Sequence, residues 1–308
     1  MSKPKVYIDG KEGTTGLQIY DRLAAREDIQ LLLIDEARRK DPAERKKFLN
    51  AADLVFLCLP DAAAVEAVSL IENDRTRVID CSTAHRTDPA WAYGFPELSP
   101  ERREAIRTAR RVANPGCHAT GFISIVYPLV QLGLIPRDAA LSCFSLTGYS
   151  GGGKKMIAQY EAGNREAELD SPRIYGLSQS HKHLPEMRKV CGLTTAPVFS
   201  PIVADYYKGM ASTVPLFLDR ETLLLALTKY YQGSGNSRMV RVCAEWENPM
   251  LGANTLAGCD SLYLFVQGNH ERSTVTALFD NLGKGASGAA VQNMNLMLGF
   301  EEIAGLAL

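Results

Sequence analysis

The sequence predicts an α/β domain built on a parallel sheet, followed by an α+β domain around a mixed or antiparallel sheet. Three observations carry this. Apolar, β-branched runs alternate with helical segments through the first third of the chain. A GxxGxxG turn joins the first such run to the first helical segment. From about residue 140 several runs alternate with period two, and few helices separate them. The length of 308 residues agrees, since a domain takes roughly 100–200.

Taken in order, residues 5–9 (KVYID) read as a strand and residues 14–25 as a helix, with Leu17, Tyr20 and Leu23 at helical spacing. Residues 30–35 (QLLLID) give a second strand and residues 53–59 (DLVFLCL) a third, stopped by Pro60. Asp61 caps a helix running to residue 71, and residues 77–81 form a short fourth strand. The charged run 40–47 reads as a solvated helix face. Residues 120–132 read as an apolar helix opened by Cys117. Beyond it, residues 140–146, 196–204, 211–218, 239–244, 261–266 and 274–279 read as strands, and residues 285–298 as a helix rich in small side chains.

Composition excludes several classes. Apolar residues make up 46% and charged residues 22%, as in ordinary globular chains. Thirty-four Lys and Arg against 35 Asp and Glu leave no net basic footprint for nucleic acid. The longest apolar stretch, 119–135, contains Pro128 and Gln131 and is too short to span a bilayer, and the N-terminus shows no signal-peptide core. Seven cysteines at 58, 81, 117, 143, 191, 243 and 259 include no CxxC pair. They suit free thiols in a reducing cytoplasm rather than a disulfide scaffold or a zinc site.

Gly10, Gly13 and Gly16 let a backbone approach a pyrophosphate, with Thr14 and Thr15 adding hydroxyls at the helix start. A glycine trio also makes ordinary turns; its place after a strand and before a helix favours dinucleotide binding. Asp35, 19 residues after Gly16, suits a ribose 2′-hydroxyl and NAD. Arg38, Arg39 and Lys40 suit a 2′-phosphate and NADP, or else a solvated helix face. The choice stays open on these residues.

The segment ANPGCHAT (113–120) places Cys117 at a helix start, where the dipole favours a thiolate and hence a nucleophile. The other six cysteines lie in or beside apolar runs and read as packing. The segment SHKHLPE (180–186) supplies His181 and His183, of which His183 precedes a helix; either is a candidate acid/base. A metal would need a third ligand, and none lies at metal-like spacing. Ser82, Thr83, His85 and Arg86 follow the fourth strand at the sheet edge where ligands bind. GYSGGGKK (148–155), with Ser150 and Lys154, suits a phosphate, or else is a flexible loop.

Together these segments resemble the N-acetyl-γ-glutamyl-phosphate reductase family, in its shorter second type. The matching stretches run in order along the chain: IDGKEGTTGLQ (8–18), CLPD (58–61), DCSTAHR (80–86), YGFPEL (93–98), NPGC (114–117), GYSGGGK (148–154), HKHLPE (181–186) and GKGASGAAVQN (285–295). NPGC with HKHLPE is specific; the glycine turn alone is not. The resemblance implies a Rossmann cofactor domain (1–118 and 285–308) and a semialdehyde-dehydrogenase-like α+β catalytic and dimerisation domain (119–284), in a homodimer or homotetramer. It implies NADPH, a step of arginine biosynthesis, Cys117 as nucleophile and Pro60 and Asn293 beside the cofactor. Arg86 and Lys154 would hold phosphate or carboxylate, Ser150 would assist, and Asn114 would orient the thiol or bind the carbonyl. The rival readings are an aspartate-semialdehyde-dehydrogenase-like reductase and a non-catalytic NADP(H) sensor. The sensor would need no Cys117 with His183.

Overall fold

The computed structural model describes residues 3–232 and 237–308, which form two compact units. Of the described residues, the first comprises those up to Pro96, Glu101–Pro115 and Ala286–Leu306; the second comprises Glu97–Pro100, those between Gly116 and Gly285, and Ala307–Leu308.

The first unit begins β1 (Lys5–Asp9), α1 (Thr14–Ala24), β2 (Gln30–Leu32), α2 (Pro42–Ala51), β3 (Leu54–Leu57), α3 (Asp61–Ser69), β4 (Arg77–Asp80) and β5 (Ala92–Tyr93). It continues through α4 (Pro100–Thr108), whose first residue falls in the second unit, to β6 (Arg111–Ala113). The six strands are all parallel, in the order β2-β1-β3-β4-β6-β5. The order reverses at β1, which opens a crevice beyond the carboxyl ends of β1 and β3. β2 stops earlier than the apolar run predicts. The Asp35 carboxylate accepts the Ala37 N–H and starts a tight turn over Glu36–Arg38, and such side-chain capping competes with a strand ladder. Asp41 caps α2 by accepting the Ala43 and Glu44 N–H groups, with Pro42 in the first turn. The 40–47 run is not wholly a solvated face: Arg45 is buried and donates to Asp9 (2.9 and 3.2 Å) and Glu66 (3.2 Å). Burial raises the Asp9 pKa even beside that guanidinium.

The second unit holds α5 (Cys117–Gln131), β7 (Ser142–Gly148), α6 (Gly153–Glu161), β8 (Arg173–Ile174), α7 (Leu184–Cys191), β9 (Val198–Ala204), β10 (Met210–Leu216), α8 (Arg220–Gln232), β11 (Val240–Cys243), β12 (Leu262–Gly268) and β13 (Ser273–Phe279). Its sheet is mixed, in the order β11-β12-β13-β10-β7-β9-β8; β7 runs parallel to β9 and β11 to β12. α5 is buried from His118 through Val130, so its apolar sequence is that of a core helix. α6 and α8 were not predicted. α8 carries Leu223, Leu227 and Tyr231 inward at a spacing of four, a helical signal present in the sequence.

The chain then passes a π-helical turn (Gly283–Ser287) into α9 (Gly288–Leu298), so the helix predicted from residue 285 begins in a wider turn. α9 belongs to the first unit. Ala290, Val291, Met294 and Met297 pack on Val6, Ile8, Phe56 and Ile79 together with Ile19 and Leu23 of α1. The alternate residues Tyr7, Val55, Leu57 and Val78 face the other way, onto Leu49, Ala64 and Ala67 of α2 and α3. Met294 is fully buried in the first of these layers. Met294→Ala is expected to lower unfolding free energy by about 2–5 kcal/mol, read from the urea midpoint.

Candidate active site

In the first unit a cavity of about 530 Å³ opens beyond β1 and β3. Gly10, Gly13 and Pro60 line it, with Arg39, Lys40 and Tyr20. Gly10 has φ +87°, and a Cβ there would meet the Cys58 carbonyl oxygen at 2.4 Å, so only glycine fits. Thr14 and Thr15 begin α1 and Gly16 is buried in its first turn. Asp35 and Arg38 do not line the cavity. Asp35 is committed to its own turn, and Arg38 pairs with Asp41 and Glu44 on the surface (3.2 and 3.0 Å). The basic side chains at the cavity are instead Arg39 and Lys40, the next two residues of the same turn.

The residues expected to bind an anion after β4 have partners within the unit. Asp80 accepts from the Ser82 N–H (2.9 Å) and Oγ (2.8 Å) and lies 2.6 Å from His85 Nδ1. His85 stacks on Trp91 at 4.1 Å. The Arg86 guanidinium donates to the carbonyls of Asn114 (3.0 Å) and Cys81 (3.1 Å). Asn114 is buried; it donates to the Ala286 carbonyl (3.0 Å) and accepts from Asn293 Nδ2 (3.1 Å). Both ends of its amide thus tie strand β6 to the start of the C-terminal helix segment. Asn293 Nδ2 also donates to the Gly94 carbonyl (3.0 Å), while its buried Oδ1 has no hydrogen-bond partner among the described residues. That orphan acceptor is a place for an incoming donor.

In the second unit Cys117 is the first residue of α5. Gly116, the N-cap, has no side chain with which to cap the helix, so its positive end faces the Cys117 position. The Gly116 N–H donates to Glu186 Oε1 at 2.9 Å, with Glu186 buried on α7. The π-turn passes close to Cys117: a Cβ at Gly285 would approach Cys117 Cβ to 3.0 Å. Beside it, the buried Lys284 Nζ donates to both Glu97 oxygens (2.7 and 2.9 Å).

Three histidine rings gather here. His118 lies 5.6 Å from both His181 and His183, and those two are 4.8 Å apart. His183 is buried at the N-cap of α7. Its backbone N–H donates to His181 Nδ1 at 3.3 Å, so that nitrogen is bare and His181 carries its proton on Nε2. Burial, reinforced by Lys182, lowers the His181 pKa. His118 is buried, with Nδ1 2.7 Å from Ser145 Oγ and Nε2 2.7 Å from the Tyr175 hydroxyl; Ser145 Oγ meets Ser212 Oγ at 2.7 Å. Burial, with His181 and Lys182 nearby, takes the His118 pKa down to about 3. Burial and the charge of Cys117 push the Tyr175 phenol up. Ser150 is buried and accepts from Asn281 Nδ2 (3.0 Å), and Lys154 is exposed in the first turn of α6. His118, Tyr175 and Glu186 were not among the residues selected from sequence. His118 follows the cysteine directly and Glu186 ends the HKHLPE segment, so the signal for both was present. Among the described residues no cluster of three or more His, Cys, Asp or Glu could hold a metal ion.

Residues 34–107 match the family model of the semialdehyde dehydrogenase NAD-binding domain, and residues 117–281 that of the semialdehyde dehydrogenase dimerisation domain. The whole-chain fold agrees. Aspartate semialdehyde dehydrogenase II of Vibrio cholerae, complexed with ASA, matches with a TM-score of 0.72 at 15% identity, over 97% of this chain and 99% of that one. The Candida albicans aspartate semialdehyde dehydrogenase with NADP matches at 0.69 and 14%, over 96% and 99%. Fold and site thus define a semialdehyde-dehydrogenase-type protein with an NAD(P)-binding domain. Within that class, N-acetyl-γ-glutamyl-phosphate reductases of Brucella ovis (48% identical over 96% of this chain and 99% of the relative) and Burkholderia lata (45%, 99% and 99%) are similar along its whole length. The chain belongs to the N-acetyl-γ-glutamyl-phosphate reductase family.

The buried His118 gives a test of this geometry by pH. Folding holds it neutral, so its folded pKa, about 3, lies below the ordinary 6.5. Its stabilising share is complete above about pH 6.5 and is lost as pH falls toward 3, at up to about 1.4 kcal/mol per pH unit. His118→Gln is expected to unfold more easily at pH 7 yet to lose less stability between pH 6.5 and 5, measured by urea titrations at each pH.

Proposed function

We infer that the protein reduces N-acetyl-γ-glutamyl phosphate to N-acetylglutamate 5-semialdehyde and phosphate, as an oxidoreductase of arginine biosynthesis. The observation that carries this reading is Cys117 at a helix N-terminus without a side-chain cap, followed by His118, whose ring lies 5.6 Å from both His181 and His183, in a chain 45–48% identical to named reductases. The Cys117 thiolate attacks the acyl carbon; the carbon–sulfur bond forms, the carbon–oxygen bond to phosphate breaks, and phosphate leaves. The reduced nicotinamide, when bound, supplies the hydride that takes the thioester to the aldehyde level. The helix terminus favours the thiolate that attacks and departs. His183 gives a proton to the thiohemiacetal oxygen and takes it back as the sulfur leaves. His181 suits this role less, because its Nδ1 accepts the His183 N–H and protonation there would break that bond.

The cavity beyond β1 and β3 fits the dinucleotide. Gly10 and Gly13 give backbone access to a pyrophosphate, and Pro60 forms part of the wall. Arg39 and Lys40 favour NADP over NAD through a 2′-phosphate, with Asp35 turned to its own cap. Asn293 Oδ1 is an acceptor for the nicotinamide carboxamide. Lys154 is an exposed cation for phosphate or carboxylate, while Ser82, Arg86, Asn114 and Ser150, the other substrate-binding candidates, each also hydrogen-bond within their own unit. A homo-oligomer is supported by the dimerisation-domain match and by exposed Phe144 and Val198 on the second sheet. Seven cysteines, none of them in a disulfide, support a cytoplasmic setting.

Assayed in reverse, with semialdehyde, phosphate and oxidised cofactor, Cys117→Ser is expected to lose turnover by orders of magnitude while keeping cofactor binding. His183→Asn should lower kcat about 10²–10⁴-fold, and His181→Asn less. Full activity in the serine variant would remove Cys117 from the chemistry. For the cofactor, the ratio of kcat/KM for NADP over NAD should exceed one and fall at least tenfold in Arg39→Ala/Lys40→Ala; an unchanged ratio would place the 2′-phosphate elsewhere.

A further inference from the structure

We propose that Glu186 is a positioning residue for the nucleophile: its carboxylate fixes the turn ahead of Cys117, and its negative charge makes the Cys117 thiolate harder to form than the helix terminus alone would. The proposal rests on Cys117 being the nucleophile. Glu186 Oε1 accepts the N–H of Gly116, the residue immediately before Cys117, at 2.9 Å in a buried setting. Glu186 is 1% exposed, so solvent does little to screen its charge. It lies three residues after His183 on the first turn of α7. One rigid turn therefore carries both the proposed acid/base and the anchor of the nucleophile's helix, and their separation is set by helix geometry.

The charge has a second consequence. A helix N-terminus favours an anion, and unopposed it would yield an abundant but weak thiolate. Nucleophilicity falls as a thiol becomes more acidic, and the best attacking thiol has a pKa near ambient pH. A carboxylate one residue from the sulfur's own backbone opposes the helix and moves the thiol toward that optimum. Other titratable groups of this unit gathered here include Tyr175, which feels the charge of Cys117, and the clustered rings of His118, His181 and His183, with Lys182 close to the first two. The buried Lys284–Glu97 pair lies next to Gly285. Glu186 is a carboxylate bonded directly to the turn that bears Cys117.

The test is the pH dependence of Cys117 alkylation by iodoacetamide in the full-length protein. The modified peptide is identified by mass, with Cys117→Ser as control for the six other cysteines. Glu186→Gln keeps an oxygen to accept the Gly116 N–H and removes the charge. Its alkylation midpoint is expected to fall by about 0.5–1 pH unit. Its limiting rate at high pH should fall about two- to threefold. The acid limb of kcat/KM should move down with the midpoint. Glu186→Asp keeps the charge but withdraws the oxygen, so kcat should drop with a smaller midpoint shift. An unmoved midpoint in E186Q, or in E186A where E186Q does not fold, overturns the electrostatic role; full kcat in E186D overturns the positioning role. Alkylation needs no turnover, so these outcomes stand apart from failure of the nucleophile assignment, which the activity of Cys117→Ser would reveal.

Discussion

A parallel sheet has two apolar faces, and both must be covered. In the first unit that requirement shapes the chain. The side chains of β1, β3 and β4 alternate between a layer under α2 and α3 and a layer under α1 and α9. The N-terminal segment supplies the first layer in full. The second takes Ala290, Val291, Met294 and Met297 from the far end of the sequence. Closing the sheet therefore draws the C-terminal helix back to the strands where the chain began. That return is what makes the first unit discontinuous, with the second unit inserted between β6 and α9.

The returning helix is held by polar as well as apolar contacts. Asn293 bridges the Gly94 carbonyl and the Asn114 side chain, and Asn295 accepts from Arg26 at 2.6 Å and donates to the carbonyls of Glu302 and Ala304. Buried amides of this kind are costly when unsatisfied and so specify one register of packing. The small residues ahead of them have a different use: Gly285 passes near Cys117, where a larger side chain would press on the thiol's Cβ. The Gly/Ala-rich segment is thus set by steric clearance at its start and by amide pairing further on.

Much of this was legible in the sequence, for identifiable reasons. The strands of the first unit are short, wholly apolar runs, and β3 (LVFL) is buried at every residue, which is the signature of a two-sided sheet. Cys117 was legible because glycine and proline break the chain just ahead of a long apolar helix. The local partners of Asp35, Arg38, Arg86 and Asn114 were less so. Each has the charge or hydrogen-bonding capacity for a ligand, and each meets a local partner that sequence spacing does not reveal: an N-cap, an acidic neighbour, two carbonyls, an opposing amide. Arg45 shows the same limit in reverse, since a charged run on a helix gives no sign that one member turns inward to a strand-end aspartate. Short-range capping and long-range pairing both outrank composition in deciding where a polar side chain goes.

The NPGC segment shows how such pairings set where a helix begins. Asn114 is tied within the first unit by the Asp80 carbonyl, Ala286 and Asn293. Two residues later Gly116 is tied within the second unit by Glu186. Between these anchors Pro115 fixes φ and disfavours helical backbone at Asn114, and Gly116 is held extended (φ −80°, ψ 146°). The helix therefore starts at Cys117, with no side-chain cap at its N-terminus. A longer helix would have satisfied the N–H groups internally and removed the field that favours a thiolate. The helix-terminal field at Cys117 is in this sense a property of where the helix begins, and Asn114, Pro115, Gly116 and Glu186 decide that place.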